Sequence, residues 1–514
     1  NQVLVNMVAL VGTIKSAVAR PCQWAIFRTR IRLNMRAISM ICLLCVISAA
    51  TAQRVTVSPD ITLRNLRSYD IIGDVNGTIL LYRDKGNEQE VSLYDENLVF
   101  QSDRDVNLLT KRATIYEIVN LDTAFGVIYG YREEDNHVIQ MDIMNERIER
   151  VDSVTMAVFE KEYRGLEYSP ILSEDQSVIS LYNFLENDRM KLITYDFDRD
   201  TLVHNDEYIF TQAELFDEVV SIDVSDDGHF YMLSELDNSR ARRKDHKVLI
   251  YHFAPLSTTV TQIEIPLEGF VSADVMMSIH NPTGKIGVVG LYDEKRFSES
   301  TGYFWISALP TEFDQVPLQM TDFSQDIFFE LYGEKRTRRL ENFGVSDVFW
   351  NIDGDPILSF EMMLDVSRRT GSGLIRQQTA NQFYDANSNT AWSDHYREDI
   401  LLIALDENLQ ERWHRVFYKR QFSQNDDASF SSYFPFMTPS RMRLIYNDEI
   451  KNNSTVSEYI LDPNGNYKRT SVLSTEYQNL KLRFRDAEQI SSTEMIVPSQ
   501  KNYLLNLVKI DFSS

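Results

Sequence analysis

Residues 76–98 read NGTILLYRDKGNEQEVSLYDENL, and this stretch contains the unit that recurs along the chain. A tight-turn pair, Asn76-Gly77, precedes a short apolar run, and a polar connection leads to a second apolar run that ends at Asp95. Asn-Gly favours tight turns, and short runs rich in β-branched and aromatic residues are typical of strands. The stretch therefore predicts a β-hairpin.

The first apolar run of this hairpin appears eight times. The copies begin 48, 52, 52, 56, 71, 86 and 52 residues apart, at Gly77, Phe125, Ser177, His229, Lys285, Pro356, Met442 and Glu494. The second run follows each copy, beginning at Val91, Val138, Lys191, Lys247, Gly302, Asp399, Ser457 and Tyr503. A period of about fifty residues indicates a repeat architecture.

The repeat predicts an all-β protein, because no later stretch shows a sustained helical period with caps. Four short strands per unit, arranged radially, are typical of a β-propeller. We expect eight four-stranded blades, with seven blades or a double β-sandwich as alternatives. The eighth unit ends after its third strand, so the segment Arg54–Val57 is expected to supply the fourth and to close the ring.

The first 52 residues differ from the rest, with six Lys or Arg, no Asp or Glu, and all three cysteines. Within them, Met35-Arg36, an apolar run to Ala49 and the triplet Ala50-Thr51-Ala52 have the layout of a secretory signal peptide. We predict upstream translation at 1–34, a signal peptide at 35–52 cleaved before Gln53, and a single propeller domain at 53–514. An organelle transit peptide is the alternative.

Removal of that segment leaves 46 basic and 76 acidic residues, a net charge of −30, and no cysteine. Disulfides, thiolate metal sites and a cysteine nucleophile are thereby excluded from the mature chain. Strong acidity argues against general nucleic-acid binding. Absence of cysteine in an exported chain favours a bacterial envelope, as a periplasmic, surface or secreted protein that does not span the membrane.

The stretch DILLIALDENLQERWHRVFYKRQ from Asp399, followed by SSYFPF and RLIYNDEIKN, resembles uncharacterised exported propeller-like proteins of the Bacteroidota. The specific likeness covers about a tenth of the chain, from Asp399 to Asn452. It implies an envelope or surface location. It brings no known activity and no known functional residues.

We label the four strands of each unit a to d, with the two recurring apolar runs as b and c. Basic residues cluster in the connections from b to c and from d to the next a, which emerge on one face of a propeller. Long loop insertions are expected at about 317–343 and 365–398, on that face of blades 4–6, and the second contains Phe383, Tyr384 and Trp392. Loops of this kind carry binding sites, and arginine suits anionic groups. The predicted ligand-binding residues are Arg240, Arg242, Arg243, Lys295, Arg296, Lys335, Arg336, Arg338, Arg339, Arg368, Arg369, Arg376, Trp392, Lys419 and Arg420. Solvated loops neutralised by neighbouring acids are the alternative.

One acidic segment has the oxygen-ligand spacing of a calcium loop, with Asp196, Asp198, Asp200 and Glu207 as candidate ligands. Position six of the loop, where calcium loops need glycine, is Thr201. No other cofactor is expected.

No catalytic sequence motif is present. The sequence therefore favours a non-enzymatic binding or scaffold protein that holds an envelope protein or an anionic glycan. The alternative is a polysaccharide-processing hydrolase or lyase with its site on the same face, for which Asp394, Glu398 and Asp426 are candidate carboxylates.

Overall fold

The structure is a computed structural model that describes residues 53–513, except for 87, 111, 161–167, 187, 211–218, 237–245, 295–298, 334–338, 369–375, 379–391, 451–454 and 474–478. Residues Val55–Ser513 form one compact unit. The predicted signal peptide and residues 1–34 lie outside the described residues. Within the described ranges, no helix is both long enough and apolar enough to cross a lipid bilayer.

In the described residues, eight antiparallel sheets form blades, each with a core of four strands in the order a-b-c-d, and a ninth sheet consists of two short strands. Strands a of neighbouring blades contact one another, so they surround the axis while strands d lie outside. The fold is an eight-bladed β-propeller, and the prediction of eight blades is confirmed.

The strands of the blades, from a to d, have the following bounds. Blades 1 and 2 consist of Ser68–Val75, Thr78–Asp84, Gln89–Tyr94 and Phe100–Asp105, then Thr114–Asn120, Phe125–Glu133, Asn136–Met144 and Arg150–Phe159. Blades 3 and 4 consist of Ser169–Leu172, Val178–Glu186, Arg189–Asp196 and Thr201–Ile209, then Val219–Val224, Phe230–Leu236, Lys247–Phe253 and Val260–Pro266. Blades 5 and 6 consist of Val271–His280, Lys285–Asp293, Gly302–Ala308 and Gln319–Asp322, then Phe343–Trp350, Pro356–Arg368, Trp392–Leu405 and Glu411–Phe417. Blades 7 and 8 consist of Phe434–Thr438, Arg441–Glu449, Thr455–Leu461 and Tyr467–Ser471, then Glu488–Gln489, Glu494–Lys501, Leu504–Asp511 and Arg54–Val57.

The two ends of the chain close the ring within blade 8. Strand Arg54–Val57 pairs with the last strand, Leu504–Asp511, and a short second strand, Ile61–Thr62, pairs with the start of that same strand. Between them, the Ser58 amide donates to the Leu507 carbonyl at 2.9 Å, and the Leu507 amide donates to Ser58 Oγ at 2.8 Å. The predicted closure is confirmed, with a longer N-terminal segment than expected.

The hydrophobic core consists of eight separate clusters, one at each interface between neighbouring blades. Among the described residues, the cluster between blades 8 and 1 has eight buried members, against eleven or more in each of the others. Its members are Ile61, Ile79, Leu81, Tyr94, Leu98, Ile496, Leu505 and Leu507. The interface between blades 8 and 1 therefore has the fewest buried hydrophobic residues among the described residues.

Blades 5 and 6 depart from the regular repeat at the two predicted insertions. Helix α1, Gln325–Tyr332, lies between them; Ser324 Oγ caps its first turn, and Gly333 ends it in a left-handed conformation. The segment Leu340–Glu341 pairs with Glu299–Ser300. Strands b and c of blade 6 extend beyond the blade, and two short strands, Arg376–Gln378 and Gln421–Gln424, pair with the extension. The described part of the chain also contains two single-turn 3-10 helices, Phe313–Gln315 and Phe484–Asp486.

Candidate functional site

Most of the predicted basic face lies outside the described residues. These positions are Arg240, Arg242, Arg243, Lys295, Arg296, Lys335, Arg336, Arg338 and Arg369. For three others the structure gives the backbone, in the extension of blade 6: Arg368 pairs in register with Trp392, and Ser367 pairs with Arg376. The sheet thus brings 368, 376 and 392 together, and binding by them stays a prediction.

The described side chains of the predicted face have structural partners. Arg339 Nε donates to Asp293 Oδ2 at 2.7 Å, and that carboxylate is fully buried. Lys419 is fully buried in an ion pair with Glu361 and donates to Gln421 Oε1 at 2.9 Å. Lys419 therefore cannot be a surface contact, contrary to the prediction. Arg420 is exposed and lies 3.6 Å from Glu398.

The four predicted calcium ligands are not brought together. Asp196, at the end of strand c of blade 3, is buried and forms an ion pair with Arg199 at 3.2 Å. Asp200 accepts a hydrogen bond from Tyr195, in the turn that contains Asp198. Glu207 lies six residues along strand d from Thr201, about 20 Å away, and bonds to Arg189 at 3.3 Å. In the described residues, no group of three acidic, histidine or cysteine side chains has the geometry of a metal site.

The carboxylates suggested for catalysis also have partners within the protein. Asp394 is buried and accepts from Gln424 Nε2 at 2.6 Å. Asp426 accepts from the Ala428 amide at 3.2 Å, which places it in a turn. Glu398 pairs with Arg420. The structure gives no reason to group these three carboxylates.

A cleft of about 750 Å³ opens at the seam between blades 8 and 1, and the sequence did not point to it. One group of lining residues comes from the segment that enters blade 1, and another from the turn before strand a and the b–c turn of blade 8. The lining residues are Leu63, Leu66, Arg67, Ser68, Tyr69, Asp70, Ile71, Arg483, Arg485, Asp486, Gln500, Asn502 and Tyr503. This volume is typical of a small-molecule site.

Two arginines of the cleft have no carboxylate partner among the described residues. The guanidinium of Arg67 packs over Gly86, and that of Arg485 donates one hydrogen bond, at 3.0 Å, to the Asp427 carbonyl. Arg483, in contrast, lies 2.6 Å from Asp486 Oδ2 and also contacts Gln500. Forked guanidinium donors bind carboxylate, sulfate or phosphate through two oxygens. Arg67 and Arg485 are therefore available to an anion.

The aromatic residues of the cleft add contact area. Tyr503 is 65% exposed at the rim, and the Arg64 guanidinium lies 5.8 Å from its ring centre. The Arg483 guanidinium lies 5.7 Å from the Tyr69 ring, and burial raises the Tyr69 pKa to about 12. Tyr69 therefore stays neutral at physiological pH.

One carboxylate that lines the cleft, Asp70, is on the inner strand of blade 1, and two others, Glu117 and Glu488, are on the inner strands of the neighbouring blades 2 and 8. Burial, together with the charge of Asp70, raises the pKa of Glu117 and of Glu488 to about 7. Burial also raises the Asp70 pKa. We call Asp70, Glu117 and Glu488 the inner carboxylates. The charge of Asp70 acts on both glutamates, so ionisation of Asp70 opposes that of Glu117 and of Glu488.

Acids recur on the inner strands because those strands carry β-bulges. Register shifts occur directly before Glu117, Asp274 and Asp347, and each of these carboxylates accepts the amide of the next residue at 2.8–3.0 Å. Asp274 also accepts the Val345 amide of the next blade at 2.8 Å. Bulges leave backbone groups unpaired, and these carboxylates bond to them. An Asp or Glu followed by Val or Ile, which occurs in strand a of blades 1, 2, 4, 5 and 6, was the sequence pattern that could have revealed these inner acids.

A histidine cluster was also missed, because its members are far apart in sequence. His229 Nδ1 lies 2.7 Å from His252 Nε2, and burial lowers the pKa of His252 to about 4. His204 lies nearby and bonds to the Gly228 carbonyl at 3.3 Å. These rings pack within blades 3 and 4.

No protein-family model and no curated protein matches the chain. Among solved structures, it is similar to the β-propeller domain of the Trilobed protease from Pyrococcus furiosus, with 9% identity, a TM-score of 0.35, and 79% of this chain and 98% of that one covered. It is also similar to an oligogalacturonate lyase in complex with manganese, with 10% identity, a TM-score of 0.36, and 89% and 99% covered.

A third similar structure is that of prolyl endopeptidases, with 10% identity, a TM-score of 0.31, and 78% of this chain covered. This chain spans 55% of the length of that relative. Likeness at these scores carries no argument about activity, so the fold rests on the sheet order and the eight inter-blade clusters.

Proposed function

We propose that the protein is an extracytoplasmic binding or scaffold module that holds an anionic ligand in the cleft between blades 8 and 1. The observation that carries the proposal is the pair Arg67 and Arg485, which lack carboxylate partners among the described residues. A guanidinium beside an aromatic ring suits a carboxylated or sulfated glycan, or an acidic protein segment.

Location in the envelope is part of the proposal. The predicted signal peptide at 35–52 and the resemblance to exported proteins of the Bacteroidota support it. N-terminal sequencing of the protein purified from its native host should begin at Gln53.

Binding to polygalacturonate, heparin and uncharged dextran tests the cleft. We expect the protein to bind one of the two anionic polymers and not to bind dextran. Its affinity for the anionic polymer should fall as the salt concentration rises. The double variant Arg67→Glu/Arg485→Glu should lose at least tenfold in affinity. Arg147→Glu, a 75% exposed arginine in blade 2, is the matched charge control and should bind as the wild type does.

The basic loops of blades 4–6 are tested in the same assay with Arg242→Glu/Arg243→Glu. If this variant loses binding while the cleft variant keeps it, the cleft proposal is wrong and the blade 4–6 prediction is supported. Equal binding by all variants excludes both surfaces.

An enzyme acting on anionic polysaccharides is the second candidate, and the inner carboxylates favour it. A carboxyl group with a pKa of about 7, as at Glu117 and Glu488, has the property of a general acid near neutral pH. Release of shorter products from the bound polymer would support an enzyme. A polymer recovered intact after prolonged incubation identifies a binder.

A further inference from the structure

Four exposed aromatic side chains lie together on the outer side of blades 5–7, away from the cleft. They are Phe329 and Tyr332 on α1, Tyr418 after strand d of blade 6, and Tyr467 at the start of strand d of blade 7. Their exposed fractions are 49%, 39%, 50% and 46%. We call this set the aromatic patch. Only two other large aromatic residues are as exposed among the described residues, Phe100 and Tyr503.

Contacts with the protein hold the patch together. The Tyr418 hydroxyl donates to the Glu330 carbonyl of α1 at 2.8 Å, and the Tyr459 hydroxyl donates to the Tyr418 carbonyl at 2.9 Å. The Tyr467 ring packs 5.0 Å from the ring of Phe417. Ile327 and Phe328 anchor α1 in the core. The rings are thus ordered before any ligand arrives, which lowers the entropy cost of binding.

Composition of the patch distinguishes it from a protein interface. The exposed aliphatic residues of the described chain belong to other blades, except Ile352 in the a–b turn of blade 6. Protein interfaces combine aromatic residues with a buried apolar centre, whereas a sugar face needs flat aromatic rings and polar neighbours. The patch offers rings and hydroxyl groups without aliphatic side chains.

Charge around the patch disfavours an anionic ligand. Burial raises the Tyr418 pKa, and the carboxylates of Glu330 and Asp399 raise it further. His414 bonds to Glu411 at 2.6 Å and lies 3.9 Å from Glu330. Lys468 follows Tyr467 on a strand, so its side chain points to the opposite side. Arg469 lies on the same side as Tyr467 but forms an ion pair with Asp448, and Arg420, two residues after Tyr418, lies 3.6 Å from Glu398. Carboxylates accept hydrogen bonds from sugar hydroxyls but repel uronate or sulfate.

We propose that the aromatic patch binds a neutral polysaccharide, with sugar faces stacked on the tyrosine and phenylalanine rings and sugar hydroxyls bonded to the adjacent carboxylates. This site is independent of the anion cleft. One molecule would then hold a neutral chain on its outer side and an anionic group at its loop face.

Retention of the full-length mature protein on insoluble cellulose and chitin, and retardation in gels that contain xylan, mannan or starch, tests the proposal. We expect retention by at least one of these polymers. The variant Tyr418→Ala/Tyr467→Ala should reduce it at least tenfold, and Phe329→Ala should weaken it. Tyr418→Phe keeps the ring but loses the bond to α1, so it should bind nearly as the wild type does.

Phe100→Ala removes a ring of similar exposure, 44%, on strand d of blade 1, outside both the patch and the cleft, and is the matched control. Melting temperatures of all variants verify folding. If Tyr467→Ala unfolds, polysaccharide retention by the Tyr332→Ala variant tests the patch instead. Failure of the wild type to bind any polymer of the panel would overturn the proposal, as would unchanged retention of folded patch variants. A protein partner captured through the patch, without glycan binding, would also overturn it. Because the cleft variants leave this patch intact, the two proposals fail separately.

Discussion

Replacement of Glu488 by glutamine should stabilise the ring at alkaline pH and leave it unchanged in acid. Burial, with a contribution from Asp70, raises the pKa of Glu488 from 4.5 to about 7. A raised folded-state pKa means that the folded chain prefers the protonated form. Its contribution to stability is present below pH 4.5 and is lost as the pH rises through about 7.

The magnitude follows from that difference. Each pKa unit corresponds to ~1.4 kcal/mol, so ionisation of Glu488 costs up to about 3 kcal/mol of folding free energy. The side chain is partly exposed, and part of the shift comes from the charge of Asp70, so we expect roughly half of this, about 1–2 kcal/mol. Glutamine has the same shape and cannot ionise. At pH 8 the variant should therefore exceed the wild type by that amount.

Urea denaturation at pH 4.5 and pH 8 measures the difference directly. An unfolding entropy of ~2 cal/mol/K per residue makes 1 kcal/mol worth only about 1 °C in a chain of this length, so the melting temperature is a weaker readout. Glu96→Gln, in an exposed turn of blade 1, removes the same charge and should change little. An equal loss of stability at both pH values would refute the reasoning, because the contact of Glu488 with Gly73 would then outweigh its ionisation.

Two further perturbations address the closure of the ring and the buried ion pair. A chain that begins at Leu63 lacks both N-terminal strands of blade 8 and therefore exposes the edge of Leu504–Asp511. We expect it to melt at a lower temperature and to self-associate, whereas a chain that begins at Gln53 should do neither. Calorimetry measures the melting temperature, and size-exclusion chromatography measures the association. Lys419→Met leaves the Glu361 carboxylate buried without its cation. The variant should lose about 3–5 kcal/mol of unfolding free energy, measured by urea denaturation. Addition of Glu361→Gln should restore at least half of that loss. Additive losses in the double variant would contradict a direct pairing of the two charges.

Local patterns predicted the strands well, because strand type and turn type depend on nearby residues. All sixteen quoted runs correspond to strands b and c, including Thr78–Asp84 and Leu504–Asp511. Closure by Arg54–Val57 was predictable because the count of strands was one short. Helix α1 was missed although Ser324 and Gly333 are typical cap residues, because eight residues are too few to establish a helical period.

The candidate site could not be predicted in the same way, because it is formed by residues that are far apart in the sequence. The cleft combines Arg67 with Arg485, more than four hundred residues away, so no local pattern joins them. Lys419 and Arg420 are adjacent in sequence, yet one is fully buried and the other 89% exposed at the side chain. Basic composition of a loop therefore did not distinguish a structural cation from an available one.

Closure of blade 8 also orders events during synthesis. Of the strands that the structure describes, Arg54–Val57 is made first and its partner, Leu504–Asp511, is made last. The other seven blades can complete their strand pairing before this partner is made, but the eighth has to wait for about 450 residues of intervening chain. Pairing of such distant segments is slow, because the chain loses the entropy of loop closure before the stabilising contacts form. Arg54–Val57 therefore stays unpaired until its partner strand has been made, so blade 8 is completed only after the seven blades encoded between its two halves.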